Sequence, residues 1–176
     1  TCALPIYVTA SGGAQAAGIG SGAYGSTSGD SNVSVLIHGG TVTATGGEQG
    51  AGIGDGMADE NMPAKVASIT ITGGTVTAKG GDQGKDRQSA AGIGGGAKAP
   101  GGKITISGGT VTATGADGAS GIGHGGLGAT GGEITISGGT VTATGGSGNP
   151  GISCQDAPEN DRPIGEAGLI LISGGT

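Results

Sequence analysis

Gly-Gly-Thr-Val-Thr-Ala recurs almost verbatim along this sequence, and that recurrence limits the fold more than any other property of the chain. It reads GGTVTATGG from Gly39, GGTVTAKGG from Gly73, GGTVTATG from Gly108 and GGTVTATGG from Gly138, and a last GGT ends at Thr176. Successive starts at 39, 73, 108, 138 and 174 step by 34, 35, 30 and 36 residues. From Gly39, Gly108 and Gly138, a Gly-Ile-Gly or Gly-Ile-Ser follows 13 residues later; from Gly73 the step is 19, because Asp82 to Arg87 are inserted. A period of this length marks one supersecondary unit stacked on copies of itself.

Each unit has three pieces. Short runs such as Ile69-Thr70-Ile71 and Ile104-Thr105-Ile106 precede Thr-Val-Thr-Ala-Thr, and Ala-Gly-Ile-Gly follows. Alternating β-branched residues over four or five positions predict strands. Glycine pairs between them let the backbone reach positive φ and turn a corner. The expected architecture is all-β: a parallel β-helix, or β-solenoid, of about five coils of roughly 30–36 residues with three short strands each. Five coils at about 4.8 Å each make a rod about 24 Å long.

Alternation also sorts the side chains. Val35, Ile69, Ile104, Ile134 and Ile170 form one inward row, and Ile37, Ile71, Ile106, Ile136 and Ile172 the next. Val8, Val42, Val76, Val111 and Val141 face inward from the second strand with Ala10, Ala44, Ala78, Ala113 and Ala143; Ile19, Ile53, Ile93, Ile122 and Ile152 do so from the third. Outward ladders contain Thr41, Thr75, Thr110 and Thr140, then Thr43, Thr77, Thr112 and Thr142, and a third interrupted by Lys79. Lys103 and Glu133 occupy equivalent positions on neighbouring coils and are expected to pair.

A core of this kind must be thin, since the chain has 47 Gly, 2 Tyr and no Phe or Trp. Its glycines have no Gly-X-Y period, which excludes collagen. The net charge of −6 and the lack of a basic stripe argue against a nucleic-acid partner, and no apolar run has the length for membrane insertion.

Thr1 to Ile6 match nothing in the repeat and resemble the translation of a sequencing-adapter end. The expected organisation is a non-native segment at 1–6 and a single solenoid domain over 7–176, truncated at both ends, from a metagenome-derived fragment. Cys2 falls in that segment and leaves Cys154 alone, too few for a disulfide framework or a thiolate metal site.

Chemistry-bearing residues are sparse. Most of the charges gather in three patches, Asp55 to Lys65, Asp82 to Arg87 and Gln155 to Glu166, and adjacent carboxylates such as Asp59-Glu60, or Glu159 with Asp161, read as solvated loops. A calcium site from Asp55, Asp59 and Glu60 lacks the recurring Asp of calcium β-rolls. His38 and His124 occupy different positions of the unit and read as incidental. No catalytic residue, metal ligand or cofactor site is expected. The surface feature with chemical content is the hydroxyl face of Thr41, Thr43, Thr75, Thr77, Thr110, Thr112, Thr140 and Thr142. Its hydroxyls stand about 6.7 Å apart along a strand and about 4.8 Å apart between coils. This spacing resembles the ordered Thr-x-Thr faces of β-solenoid ice-binding proteins, although threonine also favours strands for its own sake.

The alternating ITISGGTVTATGG and AGIG blocks, which run from Tyr7 to Thr176, resemble the glycine-rich repeat regions of secreted or cell-surface proteins of anaerobic Firmicutes. They are similar also to carbohydrate-binding-type parallel β-helix proteins. The resemblance implies an extracellular or cell-surface location and a polysaccharide or host glycan as the class of partner. It carries no catalytic or metal-ligand residue onto this sequence. Three functions follow as expectations: a non-enzymatic surface stalk or adhesin-like scaffold, a carbohydrate-binding module in which Tyr24 would supply an aromatic ring, and an ice-binding solenoid.

Overall fold

Short β-branched runs cut by glycine corners give strands too brief to stand alone, so each strand depends on its copies in the neighbouring coils. The computed structural model describes residues 6–23, 33–59, 67–83, 88–126, 132–154 and 168–174. Among them lie fifteen strands in five sets of three. The first set is β1 (Tyr7–Ser11), β2 (Ile19–Gly20) and β3 (Ser34–Ile37); the second is β4 (Thr41–Thr45), β5 (Ile53–Gly54) and β6 (Ser68–Ile71). Then come β7 (Thr75–Lys79), β8 (Ile93–Gly94) and β9 (Lys103–Ile106), followed by β10 (Thr110–Thr114), β11 (Ile122–Gly123) and β12 (Glu133–Ile136). The last set is β13 (Thr140–Thr144), β14 (Ile152–Ser153) and β15 (Leu169–Ile172).

Each strand from β1 to β12 pairs in parallel with the strand three places on in the chain, which builds three five-stranded sheets. The order β1-β4-β7-β10-β13 makes the threonine sheet, β2-β5-β8-β11-β14 the narrow Ile-Gly sheet, and β3-β6-β9-β12-β15 the Ile-x-Ile sheet. This is the parallel β-solenoid expected from the repeat. Register is strict: Val42 lies opposite Val76, Val76 opposite Val111 and Val111 opposite Val141. A slip of one residue would turn the valines to solvent and the threonines into the core, so the hydrophobic pattern fixes the register.

The ladder continues around the corners. The Thr72 amide donates to Ile37 O at 2.9 Å, Ser107 to Ile71 O at 2.9 Å and Ser137 to Ile106 O at 2.8 Å. Backbone groups that a turn would leave unpaired are therefore satisfied by the next coil. The second glycine of each GGT makes the bend at positive φ, with values of 82° at Gly40 and 90° at Gly74. The Gly54–Gly94–Gly123 column is more demanding: Gly94 has φ 128°, and a Cβ there would collide with the carbonyl of Gly123 on the next coil. Glycine is required at Gly94 by conformation and by close coil packing.

The core runs down the axis as the alternation predicts. Ile53, Ile69, Ile71, Val76, Ile93, Ile104, Ile106, Val111 and Ile122 are fully buried, and Ala44, Ala78 and Ala113 fill the space between them. Each buried isoleucine contributes about 1.5–3 kcal/mol relative to exposure. Three residues of the expected inward rows depart from this: Val8, Ile170 and Ile172 are exposed, the last by 61%. They belong to the first and last sets of strands, where a coil packs against them from one side only among the described residues. The Ile6 carbonyl also accepts from the Thr41 amide at 2.8 Å, as Gly40 O does from Thr75, so the ladder reaches one residue before β1.

Candidate functional site

Threonine alternating with Val and Ala must present its hydroxyl on the face opposite the core. In β4, β7, β10 and β13 it does so at every turn. Thr43, Thr75, Thr77, Thr110, Thr112, Thr140 and Thr142 are exposed, and Thr41 is half-buried. Pairing sets Thr41, Thr75, Thr110 and Thr140 in one continuous row and Thr43, Thr77, Thr112 and Thr142 in the next. The structure thus brings all eight residues of the candidate face onto one sheet. Tyr7 extends the first row opposite Thr41, Thr9 extends the second opposite Thr43, and Lys79 interrupts the third between Thr45 and Thr114.

The Ile-x-Ile sheet is less uniform outside. Lys103 and Glu133 pair across coils at 3.0 Å, as their equivalent positions predict. At the corner beyond β3, His38 Nδ1 lies 2.7 Å from Thr72 Oγ1 on the surface. Exposed Leu36, Leu169 and Leu171 occupy outward positions at the two ends of the same sheet.

Polar chemistry also enters the interior, at positions the alternation of the strands does not reveal. Counting two residues past the isoleucine of each Ile-Gly strand gives Ser21, Asp55, Gly95, His124 and Cys154. This column follows the paired residues Gly20, Gly54, Gly94, Gly123 and Ser153. His124 is completely buried: its Nδ1 donates to Gly125 O at 2.8 Å and its Nε2 lies 3.2 Å from Ser120 Oγ. Because a carbonyl only accepts, the proton belongs on Nδ1, and Ser120 can then donate to Nε2. His124 is therefore a satisfied structural group. Cys154 Sγ donates to Leu169 O at 3.4 Å, and burial pushes its thiol upward against a smaller opposing hydrogen bond from the Ile134 backbone. A thiol held this way is a poor nucleophile.

Asp55 is 1% exposed. Its Oδ1 accepts from Ser21 Oγ at 3.2 Å and its Oδ2 from the Ala67 amide at 3.2 Å. Burial pushes its carboxyl up to about 7, outweighing both hydrogen bonds. Both carboxylate oxygens are thus taken up by neighbouring groups of the fold. Glu60 lies outside the described residues, and no group of three or more His, Cys, Asp or Glu placed to hold a metal occurs among those described.

A second polar feature is a glutamine ladder that runs from buried Gln49 to exposed Gln83. Four residues past the last residue of β1, β4 and β7 stand Gln15, Gln49 and Gln83. Gln15 Nε2 donates to Gln49 Oε1 at 3.1 Å, and Gln49 Nε2 donates to Gln83 Oε1 at 3.0 Å and Gln88 Oε1 at 2.6 Å. Gln88 follows the insertion in the third coil, so the inserted segment returns a glutamine amide to the ladder. Stacked amides pair along the axis as the backbone does. The period of the repeat was the signal for both columns, read at the corners instead of along the strands.

Several expected residues cannot be placed. Tyr24, Glu159 and Asp161, the patch from Gln155 to Glu166 and Cys2 all lie outside the described residues, as do parts of the other two charged patches. No helix among the described residues is long and apolar enough to cross a membrane.

A beta helix repeat family matches residues 7–23, 35–57, 69–97, 104–123 and 134–154, more than half of the chain and at least part of all five sets of strands. No curated protein and no solved structure matches it. The chain belongs to the beta helix repeat family.

Proposed function

We propose that this member of the beta helix repeat family is a non-enzymatic extracellular scaffold, a rod segment of a surface stalk or adhesin-like protein. The observation that carries this reading is the strict coil-to-coil register of the threonine sheet, whose first two outward rows repeat one neutral hydroxyl chemistry from β4 to β13. Catalysis needs different groups converging on one point, whereas the two rows of this face offer the same group throughout, and the single charge of the third row, Lys79, has only hydroxyls at its paired positions. The titratable side chains of the interior column are turned away from solvent and occupied by neighbours. Uniform threonine keeps the outside of a rod wet without building a field of like charge.

The same face supports a second reading, a carbohydrate-binding module that takes polysaccharide or a cell-surface glycan. Two continuous hydroxyl rows, with exposed Tyr7 at the end of one, combine hydrogen-bonding groups with one ring on which a sugar can stack. Ice binding draws on the same rows through their regular spacing.

A panel of insoluble and soluble polysaccharides, assayed by pull-down with the folded chain, separates these readings. The scaffold reading predicts no saturable binding. Saturable binding abolished by Thr77→Arg with Thr112→Arg would replace it with the carbohydrate module, and thermal hysteresis abolished by the same pair would replace it with ice binding.

A further inference from the structure

Among the described residues, Asp55 is the only carboxylate whose side chain is buried. It stands at the corner after β5, with Ser21 at the equivalent position of the first coil and Gly95 at that of the third. Its two oxygens face two different segments: Ser21 Oγ on one side, and on the other the amide of Ala67, which immediately precedes β6. Ser21 Oγ in turn accepts from the Gly56 amide at 3.0 Å. One carboxyl group therefore joins the corner of the first coil, the corner of the second, and the start of the strand that reopens the Ile-x-Ile sheet.

Among the described residues, its hydrogen-bond partners are neutral. Ser21 approaches from the first coil, the Ala67 amide from the start of β6, and the Gly56 amide holds Ser21 from Asp55's own connection; the equivalent position of the third coil is a glycine, Gly95. Of the described titratable groups, Asp59 stands four residues along the same connection, and His124 occupies the same column two coils away. A carboxylate buried among neutral donors loses hydration that two hydrogen bonds do not restore, so the neutral acid is favoured there. The contact with Ser21 accommodates a proton, because a carboxyl O–H can donate to Ser21 Oγ where the ionised form accepts from it.

We propose that Asp55 is a proton-operated latch, fastening the start of β6 to the corners of the first two coils when protonated and loosening when it ionises. The direction follows from linkage. An acid whose value is raised in the closed form from 3.8 to about 7 binds its proton more readily closed than open. The latch is then at full strength below about pH 4, weakens as pH rises toward 7 and stays weak above it.

Hydrogen exchange at the Ala67 and Gly56 amides of the full chain, corrected for intrinsic rates, reads the latch between pH 5 and 8. The expected result is protection that falls up to about tenfold per pH unit below 7 and levels off above it. In Asp55→Asn the dependence disappears. Protection independent of pH in the unsubstituted chain, or an unchanged dependence in the variant, would overturn the latch. Should Asp55→Asn fail to fold, carboxyl-carbon NMR of the unsubstituted protein decides: Asp55 titrating near 7 upholds the proposal, and titration near 4 refutes it.

Discussion

Lys103 Nζ lies 3.0 Å from Glu133 Oε2, and the two residues are Cα partners on adjacent strands β9 and β12. The ion pair is thus a by-product of register: a step of 30 residues along the chain returns Glu133 to the position paired with Lys103. Both side chains are exposed, so the attraction is screened and competes with side-chain entropy. Lys103→Ala should change unfolding free energy by less than about 1 kcal/mol in urea titrations, with a smaller effect still at high salt.

Depth along the rod should matter far more than this charge. Ile104 is fully buried between flanking coils, whereas Ile170 is 41% exposed in the last set of strands. Ile104→Ala is expected to cost about 2–5 kcal/mol and Ile170→Ala clearly less, measured as shifts in the urea midpoint at constant slope. Ile71→Asp, which places a charge in the same dry core, should prevent cooperative folding, with loss of the β-type circular dichroism signal.

Gln49 is 4% exposed and joins Gln15 to Gln83 and Gln88. Gln49→Ala would remove three hydrogen bonds between coils, at a cost of about 1–3 kcal/mol. Thermal unfolding of Gln49→Ala beside Gln15→Ala checks this: the central position should cost more, because it holds partners on two coils.

The strands were legible in the sequence because their side chains obey a period of two. Val42, Val76 and Val111, the eight outward threonines and the Lys103–Glu133 pair could all be placed by counting. The corners were not legible in the same way. Asp55 and His124 read as a loop carboxylate and an incidental histidine, because two-residue strands such as Ile53–Gly54 are too short to carry an alternation signal. Each follows a positive-φ glycine, Gly54 and Gly123, at a corner where period-two counting no longer applies. Exposure of Val8 and Ile172 was hidden for another reason: alternation says which face a residue takes, not whether a coil covers it.

Lys98 is the one residue other than glycine with positive φ among those described, at 60°. It closes the tight turn in which the Ala99 amide donates to Gly96 O at 3.0 Å, and its own amide donates to Gly126 O at 2.8 Å on the next coil. The left-handed conformation costs an L-residue about 1–2 kcal/mol, which glycine avoids. Lys98→Gly should therefore raise thermal stability slightly, and Lys98→Val, with a β-branched side chain, should lower it; differential scanning calorimetry of the two variants gives opposite signs if the turn is as described.

In-register stacking of the threonine sheet underlies both the scaffold reading and the candidate face, and disulfide trapping tests it directly. With Cys2 and Cys154 replaced by serine, Thr77→Cys with Thr112→Cys places two thiols on Cα partners. Neighbouring strands about 4.8 Å apart lie within disulfide range, whereas Thr77→Cys with Thr110→Cys spans about 8 Å and does not. Rapid oxidation of the first pair within the monomer, with the second remaining reduced under the same conditions, is the predicted result. Equal oxidation of both pairs, or preference for the second, would contradict the register and with it the solenoid as described.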